Sequence, residues 1–386
     1  MLMLELVFWG GLGCLLYTYL GYPVALFLIA RLSPVRPRES FLGTPPRVTM
    51  VIAAYNEAKV IAGKIENCLG LDYPAEKLDF VVASDGSSDG TDEIVSAKAG
   101  ESSRIRLLPL PRGGKASAIN AAMKEATGEI IVFSDANTIY SHNAIEELVR
   151  HFSDSETGCV CGRLSYRNPG EVVSGKGESA YWRYETALKE MESRLGYVAG
   201  ANGAIYAIRR DLFAPLPTET INDDFLISMR IVKSGKWCLY EKNAVAYEEV
   251  APDTASEFRR HIRDGAGHYI AIRQLVGLLN PFLGMRSFVY WSHRILRWVA
   301  PFILVCVFVL NMLLAEKHPY SWFLAVQITF YLFALLGYAV SGGKSKVPFV
   351  LYVPFYFSNL NLALFLGFLK TLTGRIKPAW ERTQRG

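Results

Sequence analysis

The sequence predicts an α/β domain on a mostly parallel sheet, set between apolar helices long enough to cross a bilayer. Between Val48 and about Val250, short β-branched and aromatic runs alternate with segments whose apolar residues recur at helical spacing. On either side the apolar stretches lengthen, and 51% of the 386 residues are hydrophobic, so membrane segments have to be considered. Net charge is only +5, so its placement matters more than its size, and no nucleic-acid partner is expected. The six cysteines (Cys14, Cys68, Cys159, Cys161, Cys238 and Cys306) show neither metal nor redox spacing. Cys159 and Cys161 read as two positions on one face of a strand, and reduced thiols suit a folded block in the cytoplasm.

Residues 1–31 read as the first membrane helix: Leu4 to Ala30 is almost wholly apolar, with Glu5 near its start. A secretory signal would have a basic start, a shorter apolar core and a small-residue cleavage site, none of which appears. Arg31, Arg36, Arg38 and Arg47 follow, which puts the amino terminus outside and the next block inside. Residues 32–47 form a linker that Pro34, Pro37, Pro45 and Pro46 keep extended. Residues 48–252 form the folded domain. Its strands are Val48–Ala53, Phe80–Ser84, Arg104–Leu108 and the run from Glu129 to Ser134. Between them lie helices carrying Val60, Ile61, Ile65 and Leu69, then one near Glu93, then Lys115–Ala126. An amphipathic helix from Ser179 to Leu195, a strand from Ala204 to Ile208 and a helix from Asp223 to Lys233 complete it.

Residues 253–298 read as amphipathic interface helices, because Phe258, Ile262, Tyr269, Ile272, Phe288, Trp291 and Trp298 recur among Arg259, Arg263, Arg273, Arg286 and Arg297. Ordinary helices packed on the domain are the other reading. Residues 299–373 hold three further apolar stretches, Val299–Ala315, Trp322–Val340 and Val347–Leu372. The last contains Pro348, Pro354, Ser358 and Asn361 and reads equally as a span or a shallow dip. The tail, residues 374–386, is basic and favours the inside, which leaves the parity of the spans open.

Four polar clusters fall at strand ends or in the loops just after them: Ala53–Glu57, Ser84–Thr91, Arg112–Asn120 and Ser134–Asn137. In open α/β sheets the carboxyl ends of parallel strands are where ligands sit. A glycine turn with Lys115 at a helix start is a phosphate cradle, although it does not match the GxxxxGK[ST] loop. Asp135-x-Asn137 puts two oxygen ligands on one side of an extended backbone, a half-site for a divalent cation; the same residues serve equally to turn the chain. Together the clusters point to a nucleotide diphosphate. Asp223-Asp224 reads first as a helix cap, and Gly200-Ala-Asn-Gly203 as a turn before a strand. His261, His268 and His293 read as interfacial side chains, since no carboxylate or cysteine stands at metal spacing.

Val51-Ile-Ala-Ala-Tyr-Asn-Glu57, Asp85-Gly-Ser-Ser-Asp89, Gly114-Lys115 with Asn120, Asp135-Ala-Asn137 and Asn222-Asp-Asp224 resemble, in that order, the motifs of family 2 glycosyltransferases. The likeness is to the membrane-embedded synthase branch that includes cellulose, chitin, hyaluronan and poly-N-acetylglucosamine synthases. It extends over nearly the whole chain, the tail residues Trp380-Glu-Arg-Thr383 included. The resemblance implies a GT-A type, Rossmann-like nucleotide-sugar domain in a multi-pass protein of the cell membrane. Ala54, Tyr55, Glu57, Asp85, Lys115 and Asp135 would bind the nucleotide of a UDP-linked sugar. Asp135 and Asn137 would hold Mg²⁺ or Mn²⁺, with Asn137 standing where the family usually has a second aspartate. Asp224 would be the catalytic base of an inverting transfer, and Gly200, Asn202, Asp223, Arg260 and Arg263 would line the acceptor and diphosphate side. Arg263 matches the arginine of the processive Gln-x-x-Arg-Trp motif, but Arg260 replaces the glutamine and Asp264 the tryptophan, which puts processivity in doubt.

The leading expectation is therefore a transferase that builds a glycan beside its membrane helices. A nearer competitor transfers a single sugar to a polyprenyl-phosphate or other lipid, whose phosphate suits the basic helices equally well. A non-catalytic nucleotide-sensing subunit is the reading from another class, and it has no use for both Asp135 and Asp224. A transporter is disfavoured by the scarcity of ionisable residues in the spans.

Overall fold

The computed structural model describes residues 1–32, 44–167, 173–249, 254–341 and 347–374. Arg36, Arg38, Pro34 and Pro37 of the linker and the tail motif Trp380–Thr383 lie outside the described residues. At the amino end α1 (Leu2–Leu16), a π-helical turn (Tyr17–Gly21) and α2 (Tyr22–Leu32) form one continuous apolar rod.

The folded domain then alternates strand and helix: β1 (Val48–Ala54), α3 (Ile61–Leu69), β2 (Leu78–Asp85), α4 (Thr91–Glu101), β3 (Ile105–Leu110), α5 (Lys115–Glu125) and β4 (Ile130–Asp135). It continues with β5 (Ile139–Tyr140), α6 (Ala144–Val149), β6 (Thr157–Arg167), α7 (Val173–Ser193), β7 (Tyr206–Arg209), α8 (Asp223–Ser234) and β8 (Trp237–Glu249). The eight strands form one sheet in the order β3-β2-β1-β4-β7-β6-β8-β5. β3, β2, β1 and β4 are parallel, as the alternating pattern predicts. Beyond β4 the sheet is mixed. β7 runs antiparallel to β4 and β6, β8 is parallel to β6, and β5 is antiparallel to β8. Direction reverses because β7 starts at the edge where β4 ends, Phe133 pairing with Tyr206.

Every residue of β1 is buried, as a central strand covered on both faces requires. Val51 and Ala53 face a cluster formed with α5 and α8, while Met50 and Ile52 face α3 and α6. The first cluster continues into the membrane-proximal helices through Ala271, Leu275, Tyr290 and Trp298, so this face of the domain is what meets them.

Those helices are α9 (Thr254–Gln274), α10 (Met285–Val289), a π-helical segment (Tyr290–Ile295), α11 (Leu296–Leu313), α12 (Tyr320–Ser341) and α13 (Phe349–Leu372). Among the described residues four helices are long and apolar enough to cross a membrane: Leu2–Leu32, Met285–Leu313, Tyr320–Ser341 and Phe349–Leu372. α10, the π segment and α11 run on without a break, so the expected boundary at residue 298 falls inside one helix. Phe288, Trp291 and Trp298 thus belong to the start of a span, distinct from α9. α13 is one helix, with Pro348 at its N-cap, where a missing N–H costs nothing, and Pro354 inside it. The amino-terminal rod packs against α11 and the start of α12: Phe8 meets Val307 and Leu310, and Trp9 Nε1 donates to Tyr320 OH at 3.1 Å. α9 lies against α11 and α13 through Tyr269, whose hydroxyl donates to Trp298 O at 2.6 Å and whose ring stands edge-on to Phe368 at 5.2 Å.

Candidate active site

The parallel tips of β1, β2 and β4 and the loop entering β7 share one edge of the sheet, and Ala54, Tyr55, Asp85, Lys115 and Asp135 of the expected site residues lie there, whereas Arg260 and Arg263 lie on α9. Ala54 ends β1 and is fully buried. Asn56, at φ 54°, turns the chain so that the β1–α3 loop meets the loop after β2. Glu57 N donates to Thr91 Oγ1 at 2.8 Å, Ala58 N to Asp89 Oδ2 at 3.1 Å, and Ser88 N to Asn56 Oδ1 at 2.8 Å. Glu57 precedes the turn of residues 58–60 that leads into α3, and its carbonyl accepts from Ile61 N at 2.9 Å.

Asp85, buried at the tip of β2, accepts from Gly113 N at 2.6 Å and Gly114 N at 3.0 Å and pairs with Arg112. Its carboxylate thus shapes the glycine turn ahead of α5. Arg112 lies over the Tyr55 ring, 3.4 Å from its centroid. Arg112 opens the third polar cluster of the sequence, where its spacing alone assigns it no role.

The turn ends at Lys115, the first residue of α5. Its ammonium reaches Asp135 Oδ1 at 2.9 Å and Asp223 Oδ1 at 3.3 Å. Asp223 and Asp224 occupy the first turn of α8, with Asn222 as N-cap. The capping reading does not describe them: Asn222 makes no side-chain cap hydrogen bond and instead donates through Nδ2 to Asp264 O on α9, at 3.0 Å. Asp224 Oδ1 accepts from Phe225 N at 2.8 Å. A methyl group added at Gly203 would stand 3.4 Å from Asp135 Oδ2, 3.4 Å from Lys115 Nζ and 3.6 Å from Asp224 Oδ2. The loop before β7 therefore presses bare backbone onto the point where these three groups converge.

Burial, and then the neighbouring Asp223 charge, push Asp224 up to about 7 against the pull of Lys115. Burial likewise raises Asp223, with Lys115 opposing. For Lys115 burial works downward, but Asp135, Asp223 and Asp224 outweigh it and hold the ammonium above the usual lysine range.

Asn137 donates through Nδ2 to Glu248 Oε1 at 3.0 Å, which brings a buried carboxylate from β8 beside it. Among the described residues no three His, Cys, Asp or Glu side chains are gathered to hold a metal ion; Lys115 sits between Asp135 and Asp223. The donor set nevertheless fits a hard divalent cation. Three carboxylates face one ammonium, Asp223 Oδ2 is buried without a hydrogen-bond partner, and all the available ligands are oxygen. Lys64, buried beneath this edge, donates to Ser134 Oγ at 2.7 Å and Thr138 O at 2.9 Å, and so fixes the Asp135–Asn137 turn from below.

Gly200, at φ +100°, packs on Phe225, and Asn202 spends its amide on Gly162 O at 3.2 Å and Ile205 N at 3.3 Å. Arg260 and Arg263 lie half-buried on α9, where Arg263 Nη2 is 3.4 Å from Asp264 Oδ1. The three histidines are not alike. His261 pairs with Glu257, and the His268 ring stacks on Trp298 at 4.7 Å. His293, expected at the interface, is fully buried between Glu185 and Glu192; its partners sit on α7, about a hundred residues away in sequence, where spacing gives no signal.

The fold is of the GT-A class. Mannosyltransferase PcManGT from Pyrobaculum calidifontis, solved in complex with GDP-Man and Mn²⁺, matches it with a TM-score of 0.70 over 97% of this chain and 100% of its own, at 22% identity. Residues 49–215 match the model of glycosyl transferase family 2, so the chain carries a domain of that family. It is 30% identical over 247 residues to beta-monoglucosyldiacylglycerol synthase of Trichormus variabilis, covering 61% of this chain and 52% of that protein. It is 25% identical over 239 residues to poly-beta-1,6-N-acetyl-D-glucosamine synthase of Staphylococcus aureus, covering 60% and 57%. The chain thus spans about half the length of the curated relatives it matches.

Proposed function

We propose that this protein is a membrane-embedded, inverting glycosyltransferase that moves a sugar from a UDP-linked donor to a glycan acceptor. The convergence of Asp135, Lys115 and Asp224 on the backbone of Gly203 carries the reading. Inverting transfer needs a carboxylate on one side of the anomeric carbon and positive charge on the other. Asp224, raised to about 7, suits a base: it takes the proton of the acceptor hydroxyl as that oxygen bonds to the anomeric carbon. The bond from that carbon to the diphosphate breaks on the opposite face, and Lys115 balances the charge that develops there. Arg112 and Tyr55 offer a stacked, cationic platform beside the nucleotide. Asp135 and Asn137 would hold Mg²⁺ or Mn²⁺, which when bound neutralises diphosphate oxygens. The GDP-Man and Mn²⁺ held by the Pyrobaculum mannosyltransferase support a nucleotide-sugar donor and a divalent cation, while the choice of uridine rests on the motif resemblance alone. The glycolipid and the polysaccharide for which the two relatives are named support this class of acceptor.

Transfer of one sugar to a lipid is the second reading. It is favoured by Asp264, whose side chain meets Arg263 and whose carbonyl holds Asn222, so no aromatic platform for a growing glycan stands there. In either case the protein sits in the cell membrane with the domain on the cytoplasmic side.

The deciding experiment measures diphosphate release by the purified protein in liposomes with a panel of nucleotide sugars, followed by sizing of the product. A ladder supports the glycan and a single species the lipid; no release with any donor sinks both. Asn137→Asp should tighten Mn²⁺ binding several-fold by adding a charge to the ligand set, and an unchanged titration would remove Asn137 from that set.

A further inference from the structure

The buried cluster between α7 and the second candidate span plays no part in the chemistry above, yet it ends on the loop that the chemistry uses. Glu192, in the last turn of α7, is fully buried. Its Oε1 accepts from Tyr22 OH at 2.7 Å and faces His293 Nδ1; its Oε2 accepts from Ala199 N at 2.9 Å. On the other side of the same residue, Arg294 Nε donates to Ala199 O at 2.7 Å. Both polar backbone groups of Ala199 are therefore held by side chains, and the next residue is Gly200. His293 Nε2 lies 3.2 Å from Glu185 Oε2, and Glu185 also pairs with Arg297 and, at 3.7 Å, with Arg294. Tyr22 belongs to the amino-terminal rod, and His293, Arg294 and Arg297 to the helix that begins at Met285.

Such a cluster is a poor device for stability. Buried ion pairs seldom repay the cost of desolvation, and apolar side chains of the same volume would hold the helices together as well. What apolar residues cannot do is fix the two hydrogen-bonding groups of one loop residue. The loop so fixed runs from Ala199 through Gly200 and Asn202 to Gly203, where an added Cβ would stand 3.4 Å from Lys115 Nζ and 3.6 Å from Asp224 Oδ2. Arg294 reinforces the connection from a second direction, since its guanidinium also lies over the Phe225 ring, 5.8 Å from the centroid, on the residue after Asp224.

We propose that Glu192 is a positioning residue: tied to two membrane helices through Tyr22 and His293, it sets the acceptor-side loop against Asp224. The proposal rests on reading that loop as the acceptor side of a transferase.

The test uses the full chain in nanodiscs. In Glu192→Gln, amide hydrogen exchange over residues 196–205 should quicken at least tenfold, and in Tyr22→Phe by a smaller but measurable factor, while residues 113–120 keep the wild-type rate. UDP affinity should stay within twofold in both variants. With the nucleotide sugar that releases most diphosphate in the panel, kcat for release should fall at least tenfold in Glu192→Gln while its KM stays within twofold. A merely structural role would shift exchange at both segments and move KM with kcat. Unchanged exchange over 196–205 in both variants, or a rise in KM at constant kcat, overturns the proposal. If Glu192→Gln does not fold, Tyr22→Phe decides by exchange alone, since it removes one hydroxyl. Failure of the wild type to bind UDP would count against the transferase reading and leave the exchange result to judge the positioning role.

Discussion

Asp224 is largely buried and takes up a proton far more readily than a surface carboxylate, because burial and Asp223 both work against its charge. In the proposed role of base it must be ionised. Its rate contribution therefore rises with pH through about 7 and levels off above, the sign opposite to that of a general acid. Asp224→Asn should lower kcat by about 10²–10⁴-fold and abolish that rise, with UDP affinity retained; a pH profile of diphosphate release checks both. Gly203 offers a second check at this scale. Gly203→Ala places a carbon in ordinary contact with Lys115 Nζ and Asp135 Oδ2, at 3.4 Å, so the melting temperature should be nearly unchanged, while turnover should drop about tenfold or more if the proposed donor sugar needs that space. Asp135 was legible in the sequence because a carboxylate at a strand tip needs a reason beyond packing, whereas Asp224, in the first turn of α8, read as a helix cap until the family resemblance gave it a role. Gly203 was legible only as part of a turn, since nothing in Gly-Ala-Asn-Gly says which glycine meets the reacting groups.

Among elements, the turn before α5 is organised from a distance. Asp85 supplies the acceptors for Gly113 N and Gly114 N and holds Arg112 over Tyr55. Asp85→Ala should leave two amides unsatisfied and cost about 1–3 kcal/mol for each one that water cannot reach. Thermal melts with and without UDP should show lowered stability and UDP affinity together; a loss of affinity alone would mean that Asp85 contacts the nucleotide directly. The sequence announced an acidic glycine-rich turn but not that its acid reaches a loop 28 residues on. The same limit hid β8. Trp237–Tyr240 and Ala244–Tyr247 are separated by Glu241-Lys-Asn243, which reads as a break, whereas in the sheet it accompanies a register shift opposite Gly162. β1 to β4 were legible because each is a short apolar run between helices of clear period, and β6 only through its paired cysteines.

For the whole molecule, acid should be a selective stress. Burial disfavours the Glu241 charge, but the hydrogen bond from His151, the Asn243 amide and Arg150 outweigh it and hold the carboxyl down at about 2. A lowered carboxyl stabilises the folded state fully above its unfolded value near 4.5 and loses that contribution as pH falls toward 2. Melting temperature should therefore decline between pH 5 and 3, and Glu241→Gln should flatten part of that decline. The two-part plan of domain and membrane helices was legible from hydropathy, since length and apolarity are local properties. Which helix meets the domain was not: His293 finds Glu192 across 101 positions, and the Met285 helix enters the domain core before it turns apolar. The pairing of the amino-terminal rod with the start of α12 has a consequence for biosynthesis. Trp9 and Tyr320 are 311 residues apart, so at about 5–20 residues per second the ribosome needs on the order of 15–60 s to deliver the partner. During that interval Tyr22 can find Glu192, only 170 residues on, while Trp9 waits, so the rod's contact with α12 forms only after the whole α/β domain has been made.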